Sequence, residues 1–231
     1  MGEFFTGGMS LGRLLGIVGL TAVLAATLFL SSGRLDWVIA WLYVGVRVGI
    51  ALVGMLVIAS KNPGLLEERF QPGQGVKAWD KPLASVTTIL WPVILVVAGL
   101  DMRFGWSPEL GIAIRLLAWV VLLQGDAFSK WAAASNRFYS RVVRIQEDRG
   151  HTVVTAGPYR YVRHPGYAGA LVTALATPIV LGSLWALVAG GTLGLLLVIR
   201  TALEDKTLHE ELSGYPEYAQ QTRYRLVPGV W

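Results

Sequence analysis

GYAGALVTALATPIVL (residues 166–181), then Gly182-Ser183, then LWALVAGGTLGLLLVIRTAL (residues 184–203): this stretch decides the fold. No charged residue occurs from Gly166 to Ile199, and a bilayer-spanning helix needs about 20 predominantly apolar residues. The pair Gly182-Ser183 supplies a turn too short for anything but antiparallel neighbours. The reading is therefore a helical hairpin in lipid. Its first arm is short and carries Pro178, which predicts a kink or a tilted partial span.

Working outward, four more apolar runs have similar length: Leu11–Leu30, Trp37–Ala59, Leu83–Leu100 and Leu110–Phe128. The first is too long and uninterrupted for a signal peptide, and Arg13 is its only early positive charge, so it reads as a retained helix. The expectation is an all-α polytopic membrane protein of about six transmembrane helices, with a C-terminal helical hairpin and a cytoplasmic capping loop. Composition agrees. Charged residues make up 15% of the 231 positions, against roughly 25% in a soluble domain. Nine Trp and eight Tyr suit the membrane–water interface. The absence of Cys excludes disulfides, thiolate metal sites and a cysteine nucleophile.

The net charge of +5 does not point to nucleic acid, because the basic residues fill alternate gaps between the apolar runs. One side holds Arg13, Lys61, Arg69, Lys77, Lys81, Lys130, Arg137, Arg141, Arg144, Arg149, Arg160, Arg163, Arg200, Lys206, Arg223 and Arg225. The other holds only Arg34 and Arg103, with Arg47 and Arg115 inside helices. That asymmetry predicts cytoplasmic termini and a cytoplasmic site, with anionic headgroups as the partners of the basic face. Residues 62–82 read as a surface loop. Residues 129–163 are polar, basic and aromatic, and long enough to cap the membrane face. The division is residues 1–82, N-terminal helices and loop, then 83–231, a core whose residues 136–228 form the binding region.

Positions equidistant from the turn of a hairpin lie at similar depth. Pro165 then lies level with Arg200, and His164 with Thr201. Arg200 and Glu204 share one helix face. His164, Tyr167, Arg200 and Glu204 should meet at the mouth of the hairpin, and ionisable groups at that depth are candidates for function. Each has an ordinary reading too. Arg200 and Glu204 could be a simple i,i+4 ion pair. His164-Pro165 could be a helix start, and Tyr159, Tyr161 and Tyr167 interfacial anchors. Asp126 could line a cavity or pair with Lys130, and the pairing is the preferred expectation. The three His lack metal-ligand spacing, so no metal site is expected. Gly166-Tyr167-Ala168-Gly169 follows no strand and is no dinucleotide fingerprint.

Residues 136–228 resemble the isoprenylcysteine carboxyl methyltransferase family and its phospholipid methyltransferase relatives. The likeness rests on His151-Thr152-Val153-Val154, Gly157-Pro158-Tyr159-Arg160, Arg163-His164-Pro165-x-Tyr167, Arg200-x-x-x-Glu204 and Tyr215-x-x-Tyr218. It implies S-adenosyl-L-methionine as methyl donor and a lipidic or lipid-anchored acceptor. By motif, Gln146, His151, Thr152, Val153, Val154, Tyr159, His164, Pro165, Gly166, Tyr167 and Glu204 would contact the donor, and Arg200 would face the acceptor. Gln146 is the nearest match to a Gln of the family. Asp205 stands where the family has the second Glu of a pair. An amine acceptor would suit Arg200 poorly, which favours a carboxylate. The alternatives are a phospholipid N-methyltransferase, an NADPH-dependent sterol-reductase-like enzyme sharing the Arg-His-Pro-x-Tyr run, and a non-catalytic membrane scaffold.

Overall fold

The computed structural model describes residues 11–61, 65 and 74–231. Most of the expected loop at 62–82 lies outside these residues, as do Arg69 and the side chains of Arg13 and Lys61. Six long helices follow the six apolar runs: α1 (Leu11–Ser32), α2 (Val38–Lys61), α3 (Asp80–Phe104), α4 (Ile112–Ser135), α5 (Pro165–Leu181) and α6 (Ala186–Glu211). A short α7 (Tyr215–Gln221) follows. Among the described residues there is no strand. Four helices are long and apolar enough to cross a membrane, α2, α3, α4 and α6, and α1 and α5 contribute shorter apolar stretches. The multi-pass membrane architecture stands, and the count of six full spans is not reached on length alone. The boundary expected at 82/83 falls inside α3.

Helices form because apolar side chains satisfy lipid on the outside while the backbone satisfies itself within. Val53, Leu56, Leu117, Val188 and Leu195 are exposed on the bundle surface, whereas Leu28, Ile94, Leu122 and Leu193 are fully buried. Small residues let particular helices approach closely. A Cβ on Gly169 would run into the carbonyl of Gly125 and the hydroxyl of Ser129, so α4 and α5 pack backbone against backbone. Among the described residues, theirs is the most extensive helix contact.

The hairpin turns where the sequence places it. Gly182 ends α5 at φ 80°, a conformation that favours glycine, and Pro178 is accommodated in the last turn of α5. Asp101 of α3 clamps the turn, accepting from the Ser183 hydroxyl and from the Ser107 N–H at 2.7 Å. At the opposite end, residues 136–164 leave α4 and return to α5 across the face of the bundle. Two 3-10 turns, Glu147–Arg149 and Gly157–Arg160, shape this cap.

Candidate functional site

A cavity of about 700 Å³ lies beneath the cap and runs down between the helices. That volume falls within the range of small-molecule sites. Of the residues singled out in the sequence, Gln146, His151, Thr152, Val153, Val154, Tyr159, His164, Gly166, Tyr167, Arg200 and Glu204 all border it. Pro165 does not: it opens α5 behind His164, as the ordinary helix-start reading has it.

The hairpin mouth brings the expected four side chains together, with different partners from those expected. The Tyr167 hydroxyl donates to Glu204 Oε2 at 2.6 Å, and the Arg200 guanidinium lies 5.5 Å from the Tyr167 ring centroid. Level counting holds near the turn, where a Cβ on Gly190 would meet the Ala174 carbonyl at 2.6 Å. At the mouth it slips. Tyr167 leans toward the N-terminus of α5 and Glu204 toward the N-terminus of α6, so the two meet although Glu204 lies well beyond the level of Tyr167.

Arg200 does not pair with Glu204. Its Nε and Nη2 grip Asp80 of α3 at 2.7 and 3.0 Å, and Nη2 also donates to the Arg141 carbonyl at 2.7 Å. Asp80 is fully buried and also accepts the Val143 N–H at 2.7 Å. One buried carboxylate therefore ties α3, α6 and the cap into a unit. Sequence reasoning passed over Asp80 because it sits at the end of an apolar run, 120 residues from its partner.

His164 is likewise committed. Its Nε2 lies 3.1 Å from Asp205 Oδ1 and 3.2 Å from the Tyr215 hydroxyl. Asp205 is a hub on the far side of α6. It takes Arg163 Nε and Nη2 at 2.7 and 3.0 Å, Arg225 Nε at 2.8 Å and the Tyr215 hydroxyl at 2.9 Å. It does not border the cavity. Asp205 thus fastens α5, α7 and the following segment to α6, which answers why an aspartate serves at this position.

The cap rests on Gln146, which is nearly fully buried. Its Nε2 donates to the Phe138 carbonyl at 2.6 Å, and its Oε1 accepts from Arg149 Nη1 at 2.5 Å. Its own N–H points at His151 Nδ1, 3.3 Å away. Both ends of the amide are used, so Gln146 shapes the cap. Burial, followed by Arg144, Arg149 and Arg137, pulls His151 down to about 4, so the ring is neutral near pH 7. With Nδ1 accepting, the proton sits on Nε2. Tyr159 packs with Tyr215 and Tyr218, its hydroxyl accepting from Asn136 Nδ2 at 3.1 Å. Burial first, then Tyr139, raises its phenol well above the usual value.

At the deep end of the cavity, only Asp126 is legible from the sequence as a lining residue. Arg47 of α2, Thr87 and Trp91 of α3, Asp126 of α4 and Thr173 of α5 border it. Asp126 pairs with Arg47 across the bundle, and not with Lys130 as its sequence spacing implied.

Residues 116–210 match the sequence model of the Isoprenylcysteine carboxyl methyltransferase (ICMT) family. That span covers α4, the cap and the hairpin, the region in which the motifs lie. A probable protein-S-isoprenylcysteine O-methyltransferase of rice (Oryza sativa subsp. indica) is 36% identical over 63 residues, 27% of this chain and 33% of the relative. The matched part is thus about a third of the rice protein's length. The protein-S-isoprenylcysteine O-methyltransferase of Schizosaccharomyces pombe is 24% identical over 186 residues, 71% of this chain and 77% of that protein. Among solved structures, the eukaryotic intramembrane Ras methyltransferase ICMT superposes with a TM-score of 0.60 at 19% identity, covering 92% of this chain and 74% of that one. The resemblance read from the motifs is borne out, and the fold is shared with that solved structure.

Proposed function

We propose that the chain is an integral membrane, S-adenosyl-L-methionine-dependent methyltransferase of the isoprenylcysteine carboxyl methyltransferase kind, acting on a lipidic or lipid-anchored carboxylate. The observation that carries this reading is the shared cavity. Glu204, Tyr167 and the cap run His151–Val154, on separate elements of the family-matching segment, all border it.

The residues present suit the donor. Glu204 accepts from Tyr167 through one oxygen; among the described residues its other oxygen has no protein partner, and it can take the methionyl amine. Tyr167 and His164 are already engaged, so the methionyl carboxylate falls to the Gly166 and Tyr167 N–H groups at the first turn of α5, where helix geometry leaves donors free. Val153, Val154, Leu208 and Leu212 give the cap an apolar shelf for the nucleoside. When bound, the donor supplies a methyl group on a cationic sulfur.

The chain's own part is alignment and water exclusion. An ionised carboxylate needs no general base. One acceptor oxygen forms the new C–O bond, the pair of the old C–S bond stays on sulfur, and no proton moves. The cap and both termini lie on the cytoplasmic side in this reading, supported by the basic residues gathered there. Since the chain has no cysteine, a single Ser213→Cys substitution reports the side directly. Labelling by a membrane-impermeant maleimide in inside-out but not right-side-out vesicles is expected.

Transfer of a labelled methyl group from the donor to an S-prenylated N-acetylcysteine, in purified membranes, tests the activity. NADPH binding with no affinity for S-adenosylhomocysteine would replace this reading with the reductase one.

A further inference from the structure

The cavity does not end in hydrocarbon. Arg47 is nine residues from the start of α2 and fourteen from its end, about 13 and 21 Å at helical rise. That places it inside the apolar slab. Ionisable side chains at such depth line polar paths or sites. A purely structural ion pair in a helix bundle would be sealed by packing, yet Arg47 and Asp126 both border the cavity, and 23% of the Arg47 side chain remains accessible.

The pairing leaves Arg47 half used. Only Nη1 meets only Oδ2 of Asp126; among the described residues, Arg47 Nε and Nη2 have no hydrogen-bond partner, and the guanidinium lies 6.0 Å from the Tyr43 ring centroid. Arg200 is the reverse, its fork filled by Asp80 and the Arg141 carbonyl. A second feature points to a ligand at the same place. Thr173 Oγ1 is buried without a hydrogen-bond partner, on a residue 2% exposed that borders the cavity. Buried hydroxyls are normally paired. The lining still favours an anion: Arg144, Arg163 and Arg200 are offset by Asp148, Asp205 and Asp80 just behind it, and Arg47, Lys130 and Arg141 then stand against Asp126 and Glu204.

We infer that the deep end of the cavity is a carboxylate subsite, that Arg47 anchors the acceptor's carboxylate through its free fork, and that Arg200 is a brace. The ligand class is a lipophilic carboxylic acid. The inference rests on the methyl-transfer reading for what happens next: the anchored oxygen attacks the donor's methyl as written above, charge being cancelled as ester and neutral thioether form. Arg47 lies outside the family-matching residues 116–210. Acceptor choice is thereby set by the N-terminal helices, apart from the donor-side motifs.

The test compares dodecanoate with dodecanol, two probes alike except for the charge. The full-length chain is purified in neutral detergent, and binding is read as ligand-induced shift in melting temperature and by displacement of a fluorescent fatty acid. Wild type is expected to bind dodecanoate at least tenfold more tightly than dodecanol. Two paired variants remove the cation without stranding its partner: Arg47→Gln with Asp126→Asn, and Arg47→Met with Asp126→Leu. Elution volume and melting temperature without ligand identify the one that folds like wild type. In it the preference for dodecanoate should vanish. A preference retained in a folded variant overturns the inference, as does a wild type that binds the alcohol equally well. S-adenosylhomocysteine binding, measured in parallel, reports on the methyl-transfer reading separately. Its absence in wild type removes that reading while the carboxylate preference still decides the subsite.

Discussion

Glu204 and Asp205 are neighbours on α6 and have opposite lives. Glu204 faces the cavity and accepts one hydrogen bond, from Tyr167. Asp205 faces away and is saturated by two arginines, a histidine and a tyrosine. The sequence presents them as an acidic pair, yet the helix turns them about 100° apart, and that rotation separates recognition from architecture. A carboxylate with spare lone pairs beside a cavity is available to a ligand; one that is fully engaged is part of the frame. The same contrast separates Arg47 from Arg200.

The comparison breaks first at Asp205. Asp205→Ala strands Arg163 in a buried site, where loss of one partner of an ion pair costs about 3–5 kcal/mol. The expected result is failure to accumulate folded protein, or a large drop in melting temperature in detergent. A variant as stable as wild type would remove Asp205 from the frame.

Arg200→Met probes the brace. It leaves Asp80 buried without its cation, so a loss of about 3 kcal/mol is expected, together with a loosened Val143 and cap. Limited proteolysis within residues 136–164 should accelerate. If stability holds and only transfer fails, Arg200 contacts the acceptor after all.

Glu204→Gln should spare the fold and weaken donor binding. A charge-assisted hydrogen bond is worth about 1.5–3 kcal/mol, or roughly 10- to 150-fold in affinity for S-adenosylhomocysteine by calorimetry. Unchanged affinity would remove Glu204 from the site. Tyr167→Phe deletes one hydroxyl from the same contact, for about 0.5–1.5 kcal/mol. Donor affinity should fall no more than about tenfold, and a larger fall would mean that the phenol itself touches the ligand.

A separate effect concerns pH. His151 is held at about 4 when folded, below its ordinary value near 6.5. Between these values the unfolded chain binds more protons, so its stabilising share is complete above pH 6.5 and is lost as pH falls toward 4. His151→Gln should flatten the melting temperature across that window. A wild-type profile already flat there contradicts the neutral ring.

What the sequence disclosed and what it withheld follow a physical line. The six helices, the turn at Gly182-Ser183 and the cap were legible because apolar runs, glycine and polar loops are local signals. The meeting of Tyr167 with Glu204 was legible because a hairpin carries its own ruler. Asp80 with Arg200, and Arg47 with Asp126, were not. Those partners are chosen by which helix packs beside which, and neither a spacing nor a composition records that choice. Gln146 and His164 border the cavity, yet each spends its polar atoms on the protein.

The backbone contact between Gly125 and Gly169 carries one more consequence. The cap is a strap whose two ends are the end of α4 and the start of α5, and these helices are riveted together by glycines that leave no room to slide. Parting α4 from α5 would break that contact, so opening on the cap side is expected of the strap, residues 136–164, before it is expected of the helix frame.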